Sequence, residues 1–126
     1  MSRFRRGWFR SADARSFEDG VRSITLVHYR PNELGDIQTA AAVRGGLTPF
    51  GADVIREMDR LGMVVDLAHA AESVVSMALD VGERPMMCSH THLQGHGATN
   101  PRFLSEGLAR AITERGGVIG AWPAGI

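Results

Sequence analysis

Lysine is absent from this chain. All 14 basic residues are arginine, and 14 acidic residues balance them, so the formal net charge is zero and the sequence pI is about 7.0. A neutral chain with no basic stripe lacks the electrostatic footprint of a nucleic-acid module, and no such partner is expected. Cysteine is nearly absent too. Cys88 stands alone, which excludes an internal disulfide framework; the expectation is a reducing, cytoplasmic setting rather than a secreted one. No apolar run approaches the ~18 residues of a membrane span. The basic stretch Met1–Arg10 is not followed by an apolar core, so it does not read as a secretory signal. No glycine-rich dinucleotide loop, phosphate loop or Gly-x-Ser-x-Gly turn occurs, which leaves nucleotide and serine-hydrolase readings without support. What is present is an ordinary globular composition over 126 residues, 44% hydrophobic and 22% charged. That excludes a disordered chain, which needs low hydrophobicity and high net charge.

Residues 1–20 show no period and read as a poorly ordered lead-in; residues 21–126 read as the folded part. Ser23–His28 is a short apolar, β-branched run, predicted to be a strand buried on both faces. Pro31 and Gly35 punctuate the turn after it, and residues 36–47 read as a long loop ending in Gly45-Gly46. Thr48-Pro49 then provides a helix start, with Thr48 as N-cap and Pro49 at the first helical position. Phe50, Val54, Ile55, Met58 and Leu61 recur at helical spacing, and Gly62 stops the run. Met63–His69 is a second apolar strand. Val74, Val75, Met77, Ala78 and Val81 mark a second helix over 71–81, closed by Gly82. Pro85–His90 is a third strand, followed by a Gly- and His-rich loop over 91–102. Ser105 can cap a third helix carrying Leu108, Ala111 and Ile112. Gly116-Gly117 ends it, and Val118–Trp122 is a fourth strand. Apolar strands alternating with amphipathic helices predict an α/β fold with a parallel sheet and right-handed crossovers.

In such a fold the carboxyl ends of the strands share one face, where ligands bind. His28, His69 and His90 each end a predicted strand, so they are expected to converge. Imidazole is the commonest metal ligand, and zinc takes several such donors. His92 and His96 follow on the loop. Alternate residues of a strand point to opposite faces, so His92 can join His90 only from a loop. Arg102, just before the third helix, can grip a carboxylate with two hydrogen bonds or serve as a surface cation. Asp66 lies inside an apolar strand and must be paired there, either with a ligand's other nitrogen or with backbone and hydroxyl groups. Cys88 lies mid-strand and reads as a small buried apolar residue.

These segments resemble one family. Gly46-Leu-Thr-Pro-Phe-Gly51, followed by Val54–His69, is similar to the membrane dipeptidase (renal dipeptidase-like) family of zinc peptidases. Ile24–His28 with Asn32, Ser89-His90, Asn100–Ser105 and Gly116–Gly120 resemble its neighbouring segments. The resemblance runs over roughly residues 20–124. It implies a (β/α)8 TIM barrel with two zinc ions at the carboxyl face, hydrolysing dipeptides, including some with a D-residue in second position, by metal-activated water. It further implies that His69 and His90 bind one zinc, that His28 contacts the substrate and helps polarise the scissile carbonyl, and that Arg102 holds its terminal carboxylate. His92 and His96 match no functional position.

The family's other zinc ligands, its bridging glutamate and its proton-transfer aspartate have no counterpart here. Glu33 and Asp36 follow His28 rather than precede it and do not match. A complete barrel takes ~250 residues. The expectation is therefore a partial barrel of about four parallel strands, a central fragment with at most one partial zinc site and no peptidase activity alone. Such a piece is expected to self-associate or to pair with a complementing barrel fragment. Two other readings stand beside it: a non-catalytic dipeptide- or metal-binding remnant, and a small flavodoxin-like protein, for which a fifth strand is missing.

Overall fold

A computed structural model describes residues 14–95 and 100–123. Five strands and three principal helices follow one another as β1 (Ser23–Thr25), α1 (Pro49–Leu61), β2 (Val64–Asp66), α2 (Glu72–Val81), β3 (Met87–Leu93), β4 (Phe103–Leu104), α3 (Glu106–Glu114) and β5 (Val118–Ala121). Residues 14–18, within the stretch read as a lead-in, form a further helical turn. Phe17 from that turn packs against the core.

The helices form where their caps and apolar stripes dictate. The Thr48 hydroxyl accepts the Gly51 N–H at 3.0 Å, Pro49 occupies the first turn, and Gly62 closes α1 at φ 76°. That left-handed conformation suits glycine because it has no Cβ. Phe50, Val54, Ile55 and Met58 of α1 are buried, as are Val74, Val75, Ala78 and Leu79 of α2 and Ala109 and Ile112 of α3. Ser105 stands at the N-cap of α3, but its side chain makes no cap hydrogen bond.

Every strand pairing is parallel. β1 pairs β2 with Thr25 opposite Asp66, β2 pairs β3 with Asp66 opposite Met87, and β3 pairs β5 with Met87 opposite Val118. The two-residue β4 pairs the far end of β3, at His92 and Leu93. It lies next to the predicted 91–102 loop and was not anticipated. β3 itself runs to Leu93, past the expected end at His90, whereas β1 and β2 pair over only three residues each. The two faces differ in burial: Val65 and Cys88 are buried on one, while Thr25, Val64, Ser89 and Val118 are exposed on the other, where Asp66 is the buried exception. One face of the sheet thus meets the helices and the other is open. This is the arrangement of a (β/α)8 barrel segment, whose open face corresponds to the barrel interior.

The predicted 36–47 loop is long, as expected, but it is not free. Asp36 is fully buried, and its carboxylate accepts N–H groups from Val43, Arg44 and Gly46 at 2.8–2.9 Å. Those bonds hold its carboxyl below the usual carboxylate range despite its burial. Ile37 bridges to Ala70, and the Gln38 N–H donates to the His69 carbonyl at 2.9 Å. The loop is a small folded unit resting on the end of β2. Among the described residues no helix is long and apolar enough to cross a membrane.

Candidate metal and substrate site

The strand register places the three histidines in one row. Thr25 lies opposite Asp66, and Asp66 opposite Met87. His28, His69 and His90 each sit three positions further along. Neighbouring strands are about 4.8 Å apart, and the ring centroids follow that spacing: 4.5 Å from His28 to His69 and 4.8 Å from His69 to His90. His69 Nε2 and His90 Nε2 approach to 2.9 Å. His69 is at φ 65°, left-handed backbone that bulky residues seldom adopt. The Gln38 N–H on its carbonyl helps hold this turn.

Burial lowers the His69 pKa, and electrostatic repulsion of a proton there by the neighbouring His90, His28 and Arg102 side chains lowers it further, against an opposing pull from Asp66. The ring is thus kept neutral, the form that binds metals. His90 Nδ1 pairs with the Ser89 hydroxyl at 2.8 Å. If Nδ1–H donates to that oxygen, Nε2 is left with its lone pair facing His69. Asp66 takes the backbone and hydroxyl alternative. Its carboxylate accepts the Thr25 hydroxyl at 2.9 Å, the Ala68 N–H at 3.0 Å and the Ser89 N–H at 2.9 Å. Burial raises its pKa, but hydrogen bonds from Ser89, Ala68 and Thr25 outweigh that and hold it low. Asp66 acts on the site by fixing Ser89, and so the base of His90.

Zinc–imidazole bonds of 2.0–2.1 Å in tetrahedral geometry put two ligand nitrogens about 3.3 Å apart. Two facing Nε2 atoms at 2.9 Å are within a few tenths of an ångström of that, so His69 and His90 fit two positions of a zinc ion. Among the described residues no group of three or more His, Cys, Asp or Glu converges to complete the set.

Arg102 reaches the same place from the other side. Its guanidinium carbon lies 4.4 Å above the Trp122 ring, and Trp122 meets His90 edge-on at 5.9 Å between centroids. Trp122 was not among the site candidates read from sequence. It ends the predicted fourth strand, and that strand-end position was the available signal. Tyr29, 3.9 Å from the His28 ring and 5.5 Å from His69, was missed likewise. His92 lies beside Phe103 at 5.2 Å, away from the cluster; His96 lies outside the described residues. Cys88 is buried, and burial together with the Asp66 charge pushes its thiol up to about 11, which agrees with an inert apolar role.

Three histidines in a row across adjacent strands thus lie beside an arginine stacked on an indole. The model of the membrane dipeptidase family (peptidase family M19) matches residues 12–122. The chain belongs to the membrane dipeptidase family. An uncharacterized dipeptidase of Schizosaccharomyces pombe is 40% identical over 111 residues, covering 83% of this chain and 26% of the relative. The probable dipeptidase PvdM of Pseudomonas aeruginosa superposes with a TM-score of 0.82 at 21% identity, over 90% of this chain and 30% of that one. A metallopeptidase of Rhodobacter sphaeroides, solved with a phosphinate mimic of the dipeptide L-Ala-D-Ala, superposes at 0.75 with 24% identity, over 87% and 32%. The chain therefore spans about a quarter of the length of that curated relative and about a third of the solved ones. The α/β fold with a parallel sheet, part of a barrel, is the one these structures share with it.

Proposed function

We propose that the chain carries part of the active site of a zinc-dependent dipeptidase. In this reading His69 and His90 are two ligands of one zinc, His28 faces the scissile carbonyl, and Arg102 receives the substrate's terminal carboxylate. The observation that carries it is the approach of two Nε2 atoms to 2.9 Å, one from the residues just past β2 and one from the adjacent parallel strand β3. Family membership supports dipeptides as the substrate class. So does the dipeptide mimic bound by the Rhodobacter metallopeptidase of the same fold.

A zinc ion held there would supply Lewis acidity and water activation near neutral pH. The protein's part is positional. His69, kept neutral by burial, offers a lone pair without first losing a proton. The planar guanidinium of Arg102 presents paired N–H donors that match a carboxylate. His28, exposed at the rim, can donate to an oxygen as negative charge develops on it. A catalytic zinc usually has three protein ligands, and the described residues bring together two. We infer that residues 1–126 alone do not hydrolyse dipeptides at an appreciable rate.

Zinc stoichiometry on the purified chain tests the site. Weak uptake of one zinc, abolished in both His69→Ala and His90→Ala, is expected, without appreciable dipeptide hydrolysis. Zinc uptake that survives both substitutions would overturn the ligand assignment. Zinc-dependent hydrolysis near the rate of an ordinary peptidase would overturn the inferred inactivity.

A further inference from the structure

We propose that Trp122 is a positioning residue, an aromatic platform that holds the Arg102 guanidinium in place for the substrate carboxylate. The proposal rests on the reading of Arg102 as the carboxylate anchor and adds the residue through which that anchor is aimed.

The backbone fixes the platform first. β3 and β5 run in register from Met87–Val118 to Cys88–Ile119, then shift so that Thr91 faces Ala121. Gly120 lies at this irregularity, and a Cβ there would collide with the Ser89 carbonyl. After the shift the Trp122 N–H donates to the Thr91 carbonyl at 3.0 Å. The Trp122 backbone is thus tied to β3 one residue beyond His90. Thr91, only 3% exposed, also meets the arginine: its hydroxyl proton is shared between the His92 carbonyl at 3.1 Å and the Arg102 carbonyl at 3.2 Å. The Asn100 side-chain oxygen accepts the Arg102 N–H at 3.0 Å. One buried threonine therefore meets the backbone of both partners.

The side chains then complete the arrangement. The guanidinium carbon lies 4.4 Å from the indole centroid, well within the ~6 Å over which a cation is attracted to an aromatic face. Stacking engages the flat face of the guanidinium and leaves its in-plane N–H donors available for a bidentate carboxylate. Among the described residues no side-chain hydrogen bond or ion pair engages that guanidinium. The opposite contact of the indole, to His90, orients the platform relative to the candidate zinc ligand. A free arginine side chain loses rotamer freedom when it is ordered. A preformed stack removes much of that loss from the binding step.

Two readouts test the proposal on the purified chain. The first is tryptophan emission in a Trp8→Phe background, where Trp122 is the remaining tryptophan. Arg102→Gln is expected to shift the emission of Trp122 and increase its quenching by acrylamide. Unchanged emission and quenching would overturn the stack. The second is calorimetric affinity for the dipeptide Ala-Ala with zinc present. Trp122→Ala is expected to weaken binding roughly five- to tenfold, and Trp122→Phe, which keeps an aromatic face, to restore it to within about twofold. Loss of affinity in Arg102→Gln with none in Trp122→Ala would overturn the positioning role alone. Undiminished affinity in Arg102→Gln would overturn the anchor reading, and the positioning role with it.

Discussion

His69, Asp66 and Asp36 share one property at the scale of single residues: each titrates below its ordinary value. The causes differ. Burial and repulsion from neighbouring side chains disfavour charged His69, whereas hydrogen bonds favour charged Asp66 and Asp36. The sign for stability is nonetheless the same. In each case the unfolded chain takes up a proton at a pH where the folded chain does not. Stability is full above the unfolded value and declines as pH falls through the folded one. The window for His69 opens near pH 6.5, and that for the two aspartates near pH 4. Acid unfolding of the metal-free chain is therefore expected in two stages, a shallow decline from about pH 6.5 and a steeper one below about pH 4. Urea midpoints measured at fixed protein concentration from pH 3 to 8 would show it. His69→Ala should remove the first stage and Asp66→Asn should soften the second. A midpoint that stays flat down to pH 4 would contradict the environment assigned to His69.

At the scale of elements, two helix starts that look alike in sequence behave differently. Thr48 and Ser105 both read as N-caps. The Thr48 hydroxyl accepts from the Gly51 N–H and donates to the Glu33 carbonyl at 2.6 Å, but the Ser105 side chain makes no cap bond. Thr48→Ala should therefore cost about 1–2 kcal/mol, and Ser105→Ala a few tenths at most. Chemical denaturation of the two variants side by side checks this, and equal losses would contradict it. Periodicity made α1, α2, α3 and the parallel sheet legible, because each buries an apolar stripe or face. The convergence of His28, His69 and His90 followed from topology alone, although β3 continues past His90 to Leu93. The rest had no periodic signal to read. β4 is two residues long. The folding of residues 36–46 depends on backbone N–H groups meeting one carboxylate, Asp36, which could equally have been a solvated acid. The place of Trp122 depends on a register shift beside Gly120, and no pattern of side chains announces that. Asp66 was legible as a buried acid needing partners, but its choice of Thr25, Ala68 and Ser89 over a histidine nitrogen was a matter of geometry.

The whole molecule has a covered side and an open one. Helices α1, α2 and α3 bury one face of the sheet, while Thr25, Val64, Ser89 and Val118 leave the other in water. Within the described residues β1 pairs only β2, and β5 pairs only β3, so each leaves an unpaired ladder of N–H and C=O groups. Val118, on the β5 edge, is an apolar residue 67% exposed. Natural sheets protect such edges with charge, bulges or covering elements, because an exposed apolar edge pairs with whatever strand is at hand. Barrel closure removes edges altogether, and this chain spans about a third of the solved structures that share its fold. The expected behaviour of the isolated chain is therefore concentration-dependent self-association, read as a rising weight-average mass in sedimentation equilibrium. Val118→Lys should weaken it, since a cation on an edge strand opposes edge-to-edge pairing without disturbing the helical side. The core of Ile55, Met58, Val74 and Ile112 lies entirely on that covered side, so the variant should retain its helical content while losing mass. A chain that stays monomeric across the concentration range and unfolds cooperatively would mean that the covered face alone sustains the fold. The open face would then be a solvated surface rather than a joint.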